Sequence, residues 1–177
     1  MSKYLTYEQL AKKENAYELC HRINEACRQS VYGKKITVFL SHRHSEDKNL
    51  IMQVRGFFAS MGAGVYIDWQ DQSMPAVTNK ETAVKLKERI NTSNKFVVLA
   101  TPQSIESIWI PWEIGLADQM RGLANIAILP VVHTDSTWER REYYRLYSRI
   151  AWIDGVWRVL EPQNEYLGID LVNWLQK

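Results

Sequence analysis

Cysteine is nearly absent from this chain: its 177 residues hold two, Cys20 and Cys27. They stand seven apart on one face of an expected helix. At ~1.5 Å of rise per residue their Cα atoms would lie about 10 Å apart, too far for a disulfide. Two free thiols suit a reducing cytosol, and a cytoplasmic protein is the expectation. No apolar signal region opens Met1-Ser-Lys-Tyr-Leu-Thr-Tyr-Glu8, and no apolar run approaches a membrane span. Charge of one sign is not in excess either. Twenty-two Lys and Arg face 20 Asp and Glu, for a net +2, and the basic residues are dispersed. That argues against a nucleic-acid binder. There are no repeats, low-complexity tracts or linkers, so one domain with an appendage is expected. What the chain has in quantity is apolar side chain, 46% against 24% charged, with seven Trp. This is the composition of a soluble globular protein with a real core.

The order of elements follows from periodicity. Thr6 and Gln9 form a capping box, with Leu5 and Leu10 as its staple. A helix is expected from there to about Ser30, carrying Ala16, Leu19, Cys20, Ile23 and Cys27 on one face, and Gly33 ends it. Residues 1–33 are therefore read as an N-terminal helical extension, packed on the domain or against another copy. Residues 34–177 then alternate. Strands are expected at Lys35–Leu40, Gly64–Ile67, Phe96–Ala100, Asn125–Val132 and Arg149–Ile153. Helices are expected around Leu50–Met61, where Gly62 stops the pattern, and after the capping box Thr78–Glu81, carrying Ala83, Leu86 and Ile90. Trp69–Val77 reads as loop, and the tail Glu161–Lys177 as amphipathic through Leu167, Leu171, Val172 and Leu175. The third and fourth strands are continuously apolar, as parallel strands covered on both faces are. Right-handed crossovers then give a doubly wound α/β sheet of five parallel strands.

Further absences narrow the chemistry. No Gly-rich phosphate loop follows the first strand. It ends instead in Ser41-His42-Arg43-His44-Ser45-Glu46-Asp47, a polar loop entering a helix, where Arg43 could pair with a phosphate. His42 and His44 lack a third ligand nearby, so no metal site is expected. An acidic cluster after the first strand is also missing, which argues against Asp68 as the phospho-acceptor of a receiver domain. Asp68 and Trp69 are read as flanking the crevice at the strand ends, and Tyr66 or Trp69 as a stacking surface for a ring.

The stretch Ser107-Ile-Trp109-Ile-Pro-Trp-Glu113-Ile-Gly115 is the most informative. It opens a helix after the third strand, at the sheet edge where ligands bind in open α/β folds. Glu113 lies one turn from Trp109. Apolar neighbours on both sides imply a partly buried acid with a raised pKa.

Val38-Phe39-Leu40-Ser41-His42, Val65-Tyr66-Ile67-Asp68 and Ser107-x-Trp109-x-x-x-Glu113, in that order, resemble the Toll/interleukin-1 receptor (TIR) domain family. The resemblance runs from about Ile36 to Val132 and more loosely to Lys177. It implies a flavodoxin-like fold. It also implies two kinds of function: NAD cleavage, as in many bacterial and plant members, or non-catalytic assembly of signalling complexes. In the NAD-cleaving members a glutamate four residues after a tryptophan is catalytic. That pattern falls on Glu113 and Trp109, with Ser41, His42, Arg43, Tyr66, Asp68 and Trp69 at the substrate edges. NAD would be the substrate rather than a cofactor. A stand-alone member of this kind implies bacterial antiviral defence, self-association through TIR surfaces and a nucleotide product acting on a separate effector. A single acid suffices for the reaction. Nicotinamide leaves a cationic pyridinium as a neutral molecule, so the second, protonating carboxyl of ordinary glycosidases is not needed. A nucleoside deoxyribosyltransferase is a third reading, but its strand-end carboxylates are not evident.

Overall fold

A computed structural model of the chain describes residues 4–11, 36–71, 80–133, 138, 142–164 and 166–177, with Trp69 described by its backbone alone. The chain order is β1 (Leu5–Thr6), α1 (Tyr7–Ala11), β2 (Thr37–Ser41), α2 (Lys48–Ala59), β3 (Gly64–Tyr66), α3 (Lys80–Thr92), β4 (Lys95–Ala100), α4 (Trp109–Arg121), β5 (Ile126–Val132), β6 (Ser148–Ile153), β7 (Val156–Leu160), β8 (Gly168–Asp170) and α5 (Leu171–Gln176). Short 3-10 turns stand at Asp68–Gln70 and Gln103–Glu106.

The two uninterrupted apolar runs make the centre of the sheet. Every residue of β4 and β5 is buried, as expected for parallel strands sandwiched between helices. The sheet order is β3-β2-β4-β5-β6-β7-β8. From β3 to β6 each pairing is parallel. This is the expected five-stranded, doubly wound α/β arrangement of a flavodoxin-like fold. Alternate residues face opposite layers. Val38, Leu40, Val97, Leu99 and Leu129 pack with Leu50, Ile51, Val54, Phe57 and Phe58 of α2 and with Leu171, Trp174 and Leu175 of α5. Phe39, Phe96, Val98 and Ile128 pack with Leu86 and Ile90 of α3 and Ile110, Ile114 and Ala117 of α4. Each large apolar side chain so buried stabilises the fold by roughly 1.5–3 kcal/mol.

Local signals hold where they are strongest. Thr6 N–H donates to Gln9 Oε1 and Gln9 N–H to Thr6 Oγ1, both at 3.1 Å, so the capping box forms. Leu5 and Leu10 are both fully buried. Gly62 follows α2 at φ 82°, a left-handed residue after a helix end.

The sheet is larger than five strands. β7 and β8 add antiparallel pairings at one edge; no strand is expected at Val156–Leu160, and Gly168–Asp170 falls in the tail read as amphipathic. The hairpin between β6 and β7 turns at Asp154 (φ 49°) and Gly155 (φ 87°). Asp-Gly is a strong two-residue hairpin signal because both positions need φ > 0. In the tail, Leu167 and Val172 are exposed and Trp174 is buried, because α5 begins only at Leu171 and runs six residues. At the other end, Leu5–Thr6 is a strand that pairs parallel with Val131–Val132 of β5. Beyond Ala11 the expected N-terminal helix, with Cys20, Cys27 and Gly33, lies outside the described residues. So do the boundary at 33/34, Thr78 and most of the Trp69–Val77 loop.

Candidate active site

Strand β2 has β3 on one side and β4 on the other, so the order in which strands are added reverses about it. That is the switch point where open α/β sheets bind ligands at the carboxyl ends of their strands. Ser41 ends β2, pairing in register with Val98, and is buried. His42 follows it. Asp68 opens the turn after β3. Glu113 comes from α4, the helix that returns after β4.

The start of α4 explains the position of Glu113. Ile110 N–H donates to Ser107 Oγ at 3.3 Å, which satisfies one free amide of the first turn. Pro111 falls within that turn, where a missing N–H costs little. Ile110, Ile114 and Ala117 anchor the helix on the sheet. Glu113 lies on the same side as Ile110 and Ala117 and is carried inward with them, to 7% exposure. Trp109 and Trp112 meet edge to face at 5.4 Å, both partly buried against the same core.

Ser41 Oγ–H donates to Glu113 Oε2 at 2.5 Å. Burial pushes the Glu113 carboxyl up to about 7. The nearby Asp68 charge pushes it the same way, against the Ser41 hydrogen bond and His42, which favour the charged form. Both nitrogens of His42 face acceptors. Nδ1 lies 3.0 Å from the Arg43 carbonyl oxygen. Nε2 lies 3.3 Å from Asp68 Oδ1, within ion-pair range though poorly aligned for a hydrogen bond. Only the imidazolium can donate in both directions. Burial alone would lower the His42 pKa, yet Asp68 and the Arg43 carbonyl raise it above the usual value. Ser41, His42, Asp68 and Glu113 thus form one connected group of mixed charge.

The remaining expected residues surround this group at different removes. Arg43 Nη2 is 2.8 Å from Glu106 Oε2, a largely exposed pair that ties the loop after β2 to the turn after β4. Thr101 Oγ1–H, just past β4, donates to Glu46 Oε2 at 2.7 Å and ties the same two segments again. Tyr66 is engaged within the protein. Its ring stacks on Phe39 at 5.3 Å, the Arg89 guanidinium carbon sits 5.5 Å from its centroid, and its hydroxyl donates to Asp71 Oδ2 at 3.0 Å. The backbone of Trp69 lies in the turn after β3, next to Asp68. Glu46, Thr101, Glu106, Asp71 and Arg89 have no role of their own in the sequence reading. They are ordinary polar residues with no periodic or motif signal, and only the sheet's topology brings them together. Among the described residues no group of three or more His, Cys, Asp or Glu could hold a metal, and no helix is long and apolar enough to cross a membrane.

Against known proteins, a family model described as TIR domain matches residues 38–165, a span that takes in Ser41, His42, Asp68 and Glu113. A protein of Bacillus cereus (strain MSX-D12), named as a probable 3' cyclic ADP-D-ribose synthase, ThsB', is 30% identical over 156 residues. These cover 82% of this chain and 78% of that one. A protein of Cytobacillus dafuensis, provisionally named cyclic ADP-D-ribose synthase TIR2, is 28% identical over 126 residues. These cover 62% of this chain and 33% of that longer protein.

Proposed function

The chain belongs to the TIR-domain family, and from that premise we propose that it cleaves the nicotinamide–ribose bond of NAD and closes the released ADP-ribosyl group into a cyclic nucleotide. The observation that carries this reading is the buried carboxyl of Glu113. It is hydrogen-bonded by Ser41 at the carboxyl end of β2, the strand about which the order of the sheet reverses. The names of the two bacterial relatives support the product class.

The bond that breaks joins C1′ of the ribose to the pyridinium nitrogen. Its electron pair leaves with nicotinamide, which departs neutral, and positive charge develops on the ribose. An ionised Glu113 stabilises that charge. A carboxylate in a low-dielectric setting does so more strongly than one in water. A carboxyl with a pKa near 7 is poised for this, because the cationic pyridinium of the substrate favours its ionised form. Ser41 donates to the same carboxylate and holds it in one orientation. The cation is then captured by a nucleophile from the adenosine half of the molecule, and if that nucleophile is a hydroxyl its proton is released. The aromatic pair Trp109 and Trp112 beside Glu113 would limit access of water, and desolvated sites suppress hydrolysis of reactive intermediates. NAD is consumed as substrate and no further cofactor takes part. In this reading the cyclic product is a signal for a separate effector in antiviral defence, and copies of the chain associate through TIR surfaces.

Purified protein incubated with NAD, with products resolved by chromatography and mass spectrometry, tests the proposal. The expected product is one water lighter than ADP-ribose. Glu113→Gln keeps the shape and removes the charge, and should lower cleavage by about a hundredfold or more while the fold persists. Unchanged turnover in that variant would remove Glu113 from the chemistry. No NAD loss from the parent chain under any trigger would favour the non-catalytic assembly module. Base exchange between deoxynucleosides would favour the transferase.

A further inference from the structure

Asp71 and Arg89 lie outside the group around Glu113, yet the geometry of that group runs back to them. The Asp71 side chain is 11% exposed, and its Oδ2 accepts hydrogen bonds from Tyr66 and Arg89 and is ion-paired with the Arg89 guanidinium. The Tyr66 hydroxyl lies at 3.0 Å, and Arg89 Nε and Nη2 each at 2.9 Å. Arg89 comes from α3. Tyr66 ends β3, and its ring continues a stack through Phe39 on β2 to Phe96 on β4, each step 5.3 Å. The Asp71 carboxylate is therefore fixed to the sheet on one side and to a helix on the other.

Between Tyr66 and Asp71 lies the turn that carries Asp68. Asp71 N–H donates to the Asp68 carbonyl at 3.0 Å, and Gln70 N–H to the Ile67 carbonyl at 3.2 Å. Gln70 is itself held by Arg55 of α2, whose Nη1 donates to Gln70 Oε1 at 3.2 Å. Pinned to β3, α2 and α3, a turn this short has little freedom in where it presents its first residue. It presents Asp68 to His42, at 3.3 Å.

We propose that Tyr66, Asp71 and Arg89 form a clamp that positions the active site. The clamp holds Asp68 against His42, fixes the charges beside Glu113, and makes Arg89 a positioning residue for turnover that touches no substrate. The turnover part rests on the NAD-cleaving reading; the clamp itself does not.

Two measurements separate the parts. The first is NMR titration of the His42 imidazole without NAD. The charged groups facing His42 are Asp68 and Glu113, with the Arg43 carbonyl at its other nitrogen. Asp68 does most to oppose the effect of burial, so Arg89→Ala should lower the His42 midpoint. Both the hydrogen bond and the ion pair from Arg89 to Asp71 are lost in that variant. Tyr66→Phe removes one donor, keeps the ring, and should give a smaller shift in the same direction; it decides the matter if Arg89→Ala does not fold. The second measurement is steady-state NAD cleavage. Arg89→Ala should lower kcat by about tenfold or more, since small misplacements of catalytic groups are costly, with KM changed less than about twofold. Arg89→Lys, which keeps a cation within reach of Asp71, should recover most of it. An unchanged His42 midpoint in both variants overturns the clamp. A shifted midpoint with unchanged kcat overturns its link to turnover. If Glu113→Gln cleaves NAD normally, the functional reading fails, and the His42 titration still judges the clamp.

Discussion

Glu113 has an ordinary carboxylate pKa when unfolded and one raised to about 7 when folded, from 4.5. The folded protein therefore binds its proton more tightly. From pH 4.5 upward the unfolded chain loses the proton while the folded one keeps it to about pH 7, so stability falls with rising pH across that window. The full cost of ionising the buried group is of order 3 kcal/mol. His42, also raised, contributes in the same direction above its usual value. Glu113→Gln never ionises. Its stability advantage over the parent, measured by urea unfolding, should grow by up to about 3 kcal/mol between pH 5 and pH 8. An advantage independent of pH would mean that Glu113 is ionised throughout. The same residue marks how far sequence reasoning reaches at this scale. Glu113 is legible because Trp109, Trp112 and Ile114 surround it, and Ser41, His42 and Asp68 because each stands at the end of a recognisable strand. Asp71 and Arg89, 18 residues apart on a loop and a helix, carry no such mark. Their meeting depends on how α3 lies against β3, which no local pattern encodes.

Among the elements, two glycines should respond oppositely to the same substitution. Gly168 begins β8 and pairs with Leu160 of β7. A Cβ there would collide with the Val159 carbonyl oxygen and with Leu160 Cα. Backbone cannot yield as a side-chain tip can, so Gly168→Ala should cost about 1–3 kcal/mol and loosen β8 and α5 first. Gly115 lies on the exposed side of α4 with nothing within 4 Å of an added Cβ. Gly115→Ala should stabilise the fold by roughly 0.5–1 kcal/mol, because alanine restricts the unfolded chain and favours helix. Urea midpoints of the two variants test both signs. The elements themselves were legible in proportion to their burial. β4 and β5 read directly, because an all-apolar run flanked by helical patterns fits few other structures. The edge was harder. β7 alternates weakly, with Val156 exposed and Trp157 and Arg158 half-buried, and β8 is three residues long. The Asp154-Gly155 turn was the usable clue, since it predicts a hairpin even where its second strand is faint.

The whole molecule places its reactive group on one crest. The loop after β2, the turn after β3 and the turn after β4 all meet at the carboxyl end of the parallel strands, tied by Arg43–Glu106 and Thr101–Glu46. If association of copies at this crest completes the site, specific activity should rise with protein concentration or with a crowding agent. Flat specific activity over a hundredfold range, already high when dilute, would show that one chain suffices.

The pairing of β1 with β5 also bears on how the chain is made. Leu5 lies opposite Val131, 126 positions later (131 − 5). Synthesis runs from the first to the second, so on a ribosome the amino-terminal strand waits for its partner. At about 5–20 residues per second that wait is of order 6–25 s. Throughout it Leu5 and Leu10, both fully covered in the finished fold, lack the β5 strand beside them. The first-made strand of this domain is thus among the last to find its place, waiting for β5 to emerge.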